Sequence, residues 1–287
     1  MAVVASRKTV LAAAECPVEQ NHLRFHGTFI MATPVVAILR GPGTNCDNEA
    51  AFAFEKAGAA VEKIHINQLR SSPKQLRQFQ ILVLPGGFSY GDDVAAGKIL
   101  ANQLQHYLAD TVREFRNSEK LILGICNGFQ TLLKAGLIVP ADEDGPLATL
   151  AHNDRGRFED RWVQVEKTSD RCPFLKGMTT MNVPVAHGEG KFVSRKDWIL
   201  KGLAQSGQIV LRYRNPNGGP VGYPENPNGA MDDVAGLCDA TGFVLGLMPH
   251  PERHVLPTQS PHWTRKGLAG EGDGFAIFRN AVEFFAK

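Results

Sequence analysis

From residue 31 onward, short and wholly apolar runs alternate with stretches whose apolar residues recur at helical spacing. Pro34–Leu39 (PVVAIL) is the first run, closed by Gly41-Pro42-Gly43. Asn45–Ala57 then carries Phe52 and Phe54 among alanines and ends at Gly58, which predicts a helix. Val61–Ile66 reads as a strand, and Ile81–Pro85 (ILVLP) and Leu121–Ile125 (LILGI) as buried strands. Between the last two, Lys98–Arg116 places Ile99, Leu100, Leu104, Leu108 and Val112 on one helical stripe. Strands that are apolar throughout need cover on both faces, which is the condition of a parallel sheet between two helical layers. The pattern therefore predicts a doubly wound α/β domain.

The second half is more broken. Strand-like pieces fall at Trp162–Glu166, Asn182–Ala186, Ile209–Tyr213, Val234–Cys238 and Val244–Met248. Asn215–Asp233 is so rich in Gly, Pro and Asn that regular structure is not expected there. An amphipathic helix from about Asp273 to Phe285 closes the chain. With no repeat and no shift in composition marking a linker, residues 31–287 read as one domain with an elaborated second half.

Composition changes this picture little. The chain has 287 residues, 43% of them hydrophobic and 21% charged, with a net charge of +2. That is ordinary globular composition, and the near balance without any Lys/Arg block argues against nucleic-acid or membrane partners. No apolar run approaches the roughly 18 residues of a membrane span. The five cysteines (Cys16, Cys46, Cys126, Cys172, Cys238) are scattered and odd in number, so free thiols in a reducing cytoplasm are expected. Residues 1–30 hold a short apolar stretch, Thr9–Ala14, followed by charged residues. That is a poor secretion signal, and the segment is expected to be a poorly ordered extension before Met31.

Three segments carry candidate chemistry. In LILGICNGFQ a buried strand runs into Gly124-x-Cys126-x-Gly128 and then a helical stretch, Phe129–Lys134. Small residues on both sides let a nucleophile sit on a tight strand-to-helix turn, and the helix start would lower a thiol pKa from its usual value of about 8.5. The alternative is a buried structural cysteine. In VLGLMPHPER, an apolar strand ends at His250 between two prolines, with Glu252 two residues on. A Cys–His–carboxylate set activates a thiol. A metal site of His250, Glu252 and His254 is the competing reading, but Pro251 breaks the helix that would align the histidines and no HExxH order is present. In LVLPGGFSYG, Gly86-Gly87 is either a simple tight turn or, for thiol acyl transfer, half of an oxyanion hole completed by the Asn127 N–H. Asp92-Asp93 reads as a solvated helix start. Neither a GxxxxGK[ST] loop nor a dinucleotide fingerprint is present.

Together GICNGFQ, LPGGFSYGDD, MPHPER and VAHGEGKF resemble the class I (triad) glutamine amidotransferases. GPGTNCD at Gly41–Asp47, PGGFSYGD, and NDRGRFEDRW at Asn153–Trp162 resemble one branch, the glutaminase components of phosphoribosylformylglycinamidine synthases in purine biosynthesis. The resemblance runs from about Met31 to the C-terminus. It implies a flavodoxin-like domain with a mostly parallel central sheet. It implies Cys126 as nucleophile, His250 as base and Glu252 as its partner, with the N–H groups of Gly87 and Asn127 facing the oxyanion. Gly86 and Gln130 are implied at the glutamine, and Asn153, Arg157 and His187 in motifs that line the glutamine pocket or the partner face. The substrate implied is glutamine, and the partners are a synthetase subunit and a small accessory subunit. No cofactor or metal is implied in this chain, with ATP and Mg left to the synthetase. Residues 1–30 and the Asn215–Asp233 loop exceed the compact bacterial stand-alone form, and YPENPNGA resembles the fused, large-type synthases. Rival readings are a glutaminase of another amidotransferase, a γ-glutamyl hydrolase, or a catalytically quiet regulatory subunit. The last is disfavoured by the intact Cys126, His250 and Glu252.

Overall fold

The computed structural model describes residues 33–286. The expectation for residues 1–30 lies outside them. Strands β1 (Val35–Arg40), β2 (Ala60–His65), β3 (Ile81–Leu84) and β4 (Leu121–Ile125) alternate with helices α1 (Asp47–Lys56), α2 (Ile66–Ser71), α3 (Lys98–Tyr107), α4 (Ala109–Asn117) and α5 (Asn127–Lys134). A two-residue hairpin, β5 (Ala141–Asp142) with β6 (Gly145–Pro146), follows, then β7 (Ala148–His152), β8 (Glu159–Lys167), β9 (Thr180–His187) and β10 (Glu189–Ser194). The chain finishes with α6 (Asp197–Gln205), β11 (Ile209–Arg214), β12 (Val234–Cys238), β13 (Val244–Leu247), α7 (Trp263–Lys266) and α8 (Phe275–Phe285).

Nine strands form one sheet in the order β2-β1-β3-β4-β13-β12-β11-β8-β9. The pairs from β2 to β13 are parallel. The pairs from β13 to β9 are antiparallel. The parallel half is the doubly wound core that the apolar runs predict, and the antiparallel half extends it. Parallel crossovers are right-handed, so stepping from β1 to β2 in one direction and from β3 to β4 in the other puts α1 on one face and α3 on the opposite face. Helix α8 joins α1, where Phe278 and Phe54 meet edge to face at 5.1 Å. Unbroken burial from Val36 to Leu39 and from Ile81 to Leu84 follows, since alternate side chains enter two different cores.

The last parallel strand fixes the site. β13 lies beside β4 with Gly246 opposite Gly124 and Leu247 opposite Ile125. A Cβ on Gly246 would stand 2.1 Å from the Phe129 ring, so this glycine lets α5 settle directly on the sheet. The register brings the ends of the two strands, and so Cys126 and His250, side by side.

One predicted helix is two. Leu108 (φ −131°, ψ 8°) breaks Lys98–Arg116 into α3 and α4. The bend preserves the phase of the stripe, because Leu104, Leu108 and Val112 all stay buried across it. Apolar spacing alone does not register such a bend.

Candidate active site

The order of the parallel strands reverses at β1, and ligands of open α/β sheets bind beyond the carboxyl ends of the strands near such a point. The segments leaving β1, β3, β4 and β13 meet there. They carry Cys46, Gly86-Gly87, Cys126 and His250.

Cys126 stands between β4 and α5 with φ 51° and ψ −106°, a conformation that costs a non-glycine residue about 1–3 kcal/mol. Its N–H donates to the Leu247 carbonyl at 2.8 Å, which ties the turn to β13. Gly128 makes the turn possible: a Cβ there would lie 1.8 Å from the Leu84 carbonyl oxygen. Cys126 is almost enclosed, 5% exposed, and its sulfur lies 3.7 Å from the carbonyl of Ala186. Asn127 opens α5, and the leading N–H groups of a helix have no acceptor within it.

His250 follows β13, its N–H held by the Pro184 carbonyl at 2.8 Å. Its Nδ1 meets Glu252 Oε1 at 2.6 Å, and both side chains are buried. Burial alone would push the imidazole pKa down. The Glu252 carboxylate and the Cys126 sulfur outweigh it and hold His250 well above its ordinary value. A carboxylate on Nδ1 fixes the ring and leaves Nε2 to the sulfur side. His254 is not part of this set: its Nδ1 lies 2.6 Å from the Asn182 carbonyl and its ring meets Trp162 edge to face. Pro251–Arg253 is a single 3-10 turn, so His250 and His254 do not share a helix face.

A cavity of about 190 Å³ opens at Cys126. Gly87, Gln130 and His187 line it with the sulfur, Phe88 and Phe158 flank it, and Asp92 and Glu189 supply its carboxylates. Gly87 has φ +132°, and a bridge to Thr44 holds its loop. Gly86 lies behind, against the His250 ring. A polar chain fixes the walls. The Asn127 amide donates to Asp92 Oδ1 and to Gln130 Oε1, each at 3.0 Å, while its oxygen accepts from the Ser89 hydroxyl. Gln130 in turn donates to the Glu189 carbonyl.

Asn153 is buried behind the cavity. It donates to the carbonyls of His187 and Arg157, and its oxygen accepts from the Gly190 N–H and faces His187 Nδ1 at 3.2 Å. It orients the wall. The Arg157 side chain turns to the surface, bonded to Glu159 at 3.1 Å and to the Tyr223 hydroxyl at 2.9 Å, and does not line the cavity. Asp92 corrects the reading of a solvated helix start. It is half-buried in the cavity wall and accepts from the Gly97 N–H at 3.2 Å, and α3 begins only at Lys98. Burial, ahead of its hydrogen bonds, raises its pKa. The sequence reading also passed over Glu189, although it stands in the quoted HGEG. Its carboxylate accepts from the Ala96 N–H and pairs with Lys134 at 3.6 Å.

His187 carries a testable pH dependence. Burial first, and the charge on His250 second, lower its pKa to about 3. The unfolded chain binds this proton near pH 6.5 and the native chain does not until about pH 3. Stability is therefore lost as pH falls through that window, by up to about 1.4 kcal/mol per unit. Urea unfolding at pH 6.5 and pH 4.5 is expected to show His187→Gln losing about 2–3 kcal/mol less than the unaltered chain over that drop. Equal losses would mean that His187 titrates normally.

Comparison with known proteins shows the family of the chain. The CobB/CobQ-like glutamine amidotransferase domain matches residues 33–285. The phosphoribosylformylglycinamidine synthase subunit PurQ of Dehalococcoides mccartyi is 45% identical over 249 residues, spanning 86% of this chain and 96% of that one. PurQ of Methanococcus maripaludis is 41% identical over 272 residues, spanning 90% of this chain and all of that one (100%). Among solved structures, PurLQS from Thermotoga maritima contains a chain that superposes with a TM-score of 0.68 at 29% identity, covering 88% of this chain and 99% of that one. A glutamine amidotransferase from the same organism, at 16% identity and a TM-score of 0.51, shares the fold. The chain belongs to the CobB/CobQ-like glutamine amidotransferase family.

Proposed function

We propose that this chain is the glutaminase subunit of phosphoribosylformylglycinamidine synthase, releasing ammonia from glutamine for an ATP-dependent synthetase subunit. The observation that carries the chemistry is Cys126 on its strained turn beside a His250 fixed by Glu252 at 2.6 Å. The relatives named PurQ supply the pathway.

Cys126 attacks the side-chain amide carbon of glutamine as the thiolate, its proton held by His250. The oxyanion forms against the N–H groups of Gly87 and Asn127. His250 passes the proton to the departing nitrogen, ammonia leaves, and a γ-glutamyl thioester remains on Cys126. His250 then takes a proton from water, the hydroxide attacks the thioester, and glutamate leaves with the thiolate restored. Gln130 and His187 wall the substrate, and Glu189 with Asp92 supplies the negative charge that suits an α-ammonium group. The synthetase, with its own ATP and Mg, joins the ammonia to formylglycinamide ribonucleotide, and a small accessory subunit belongs to the same assembly. No helix among the described residues is long and apolar enough to cross a membrane, and we place the reaction in the cytoplasm.

Reconstitution tests this reading. The full chain mixed with a synthetase subunit of that class, glutamine, ATP and Mg should convert formylglycinamide ribonucleotide to formylglycinamidine ribonucleotide, with one glutamate released per product. Glutamate release by the isolated chain that the synthetase neither binds nor uses would instead identify a self-contained hydrolase.

A further inference from the structure

A second cavity, of about 240 Å³ against about 190 Å³ at Cys126, lies beyond the C-terminal end of α5. Leu104, Val112 and Leu137 give it an apolar floor, and Arg113 and Arg116 of α4 stand in its wall. No carboxylate among the described residues lines it. The 8 residues of α5 separate it from the nucleophile turn, a length of about 12 Å at roughly 1.5 Å per residue.

Both guanidinium groups can turn to a ligand. Arg113 meets Asp110 at 3.1 Å, but the Asp110 side chain is 96% exposed, and an ion pair in water holds its partners weakly. Arg116 has no carboxylate partner among the described residues, and its bond to Asn117 Oδ1 is long, 3.5 Å. Its Nε is the one guanidinium nitrogen among them that is buried without a hydrogen-bond partner. An arginine near a helix end often donates to the last carbonyls. Here those of α5 are taken: Thr131 by the Ala135 N–H, Leu132 by Leu137, Leu133 by Gly136, and Lys134 by the Gln105 amide at 3.4 Å. A buried donor without a partner is costly, and an acceptor brought by a ligand removes that cost.

We propose that this cavity binds a small organic anion, a carboxylate or phosphate monoester carrying an apolar body. The acidic head sits between Arg113 and Arg116, and the body lies over Leu104, Val112 and Leu137. The lining sets the class. A planar guanidinium presents paired N–H donors that match two oxygens of either head group. Two cations without a carboxylate exclude a metal ion or an amine, and the apolar floor favours an organic anion over a bare inorganic one. Glutamine itself does not fit, because its α-ammonium group would face two guanidinium groups. The cavity at Cys126 has the opposite character, with Asp92 and Glu189 in its wall. The site stands independently of the glutaminase reading.

The test titrates the full chain by calorimetry with benzoate and phenyl phosphate as anionic probes and benzyl alcohol as the neutral one. At least one anion is expected to bind with one equivalent, and tenfold or more tightly than benzyl alcohol. Preference for phenyl phosphate assigns a phosphate ester to the site, and preference for benzoate a carboxylate. Saturating glutamine should leave the affinity unchanged, and so should Cys126→Ala. Arg116→Met, which keeps the apolar stem and removes the donors, should weaken binding by about tenfold or more. In the unaltered chain the bound anion should shield Arg113 and Arg116 from phenylglyoxal, mapped by mass spectrometry, a measurement that requires no variant to fold. Binding of neither anion, equal affinity for benzyl alcohol, displacement by glutamine, or unchanged modification of both arginines would each overturn the proposal.

Discussion

Cys126→Ala is expected to abolish glutamine-dependent synthesis while leaving ammonia-dependent synthesis intact. Among the described residues no other cysteine lines the cavity, and losing one member of such a set costs on the order of 10⁴ to 10⁶ in rate. The substitution also removes little from the fold, since alanine keeps the Cβ and the backbone bond to Leu247. An assembled complex carrying Cys126→Ala should therefore fail with glutamine and still make product from ammonium salt and ATP. Its rate should climb with pH toward about 9, because free ammonia is the nucleophile and its fraction falls tenfold per unit below the ammonium pKa. A scaffold-only role requires mutant and unaltered complexes to behave alike with glutamine. A correctly assembled mutant complex that is dead with ammonia as well would falsify the division of labour between the two subunits.

The parts of the fold that could be read in advance are those where one residue type admits one local answer. PVVAIL, ILVLP, LILGI and VLGL are too short and too apolar to be anything but doubly covered strands, and each meets Gly, Pro or Cys within two residues of its end. The nucleophile turn was legible from Gly124 and Gly128 on either side of Cys126, and the close approach of Gly128 to the Leu84 carbonyl is the physical reason a glycine stands there. Less legible was the antiparallel half. β8 spans Glu159–Lys167, but its ends (Glu159 to Arg161, then Lys167) are charged, and they are strand because β9 pairs with the first and β11 with the second. Strand order also depends on contacts between distant segments, so nothing local told that β13 would insert beside β4. The site shows the same division. Cys126, His250 and Glu252 announce themselves through their neighbours in sequence. Asp92, Glu189 and Cys46 become site residues only because the loops leaving β1 and β3, together with β10, converge on them. Asn153 and Arg157 lie four residues apart in one motif, yet one is buried behind the cavity and the other faces outward, a difference of orientation that spacing in a loop cannot encode.

The two remaining members of the triad should separate in severity and in pH dependence. Removing His250 takes away the imidazole that the mechanism uses to carry the proton, so His250→Ala should cost nearly as much as Cys126→Ala. It also leaves Glu252 buried with its charge uncompensated, a loss that destabilises proteins by about 3–5 kcal/mol. His250→Gln, which keeps a donor for that carboxylate, should therefore be equally inactive but better folded. Thermal melts of the two variants distinguish lost chemistry from lost structure. Glu252→Gln leaves the imidazole in place and should be roughly a hundredfold milder than loss of the histidine. Its signature is a shift. Glu252 is the largest of the influences that raise the His250 pKa, so without its charge the imidazolium becomes less stable and that pKa falls. The alkaline limb of kcat/KM against pH, where the imidazolium loses its proton, should move to lower pH in Glu252→Gln. The sign is the same for stability: a histidine pKa raised by folding favours the native state below the unfolded value and loses that contribution as pH rises through the folded one. Glu252→Gln should weaken this dependence. If Glu252→Gln were instead the more damaging substitution, or if its alkaline limb stayed where it was, the carboxylate would not be acting through His250 and the roles would have to be reassigned.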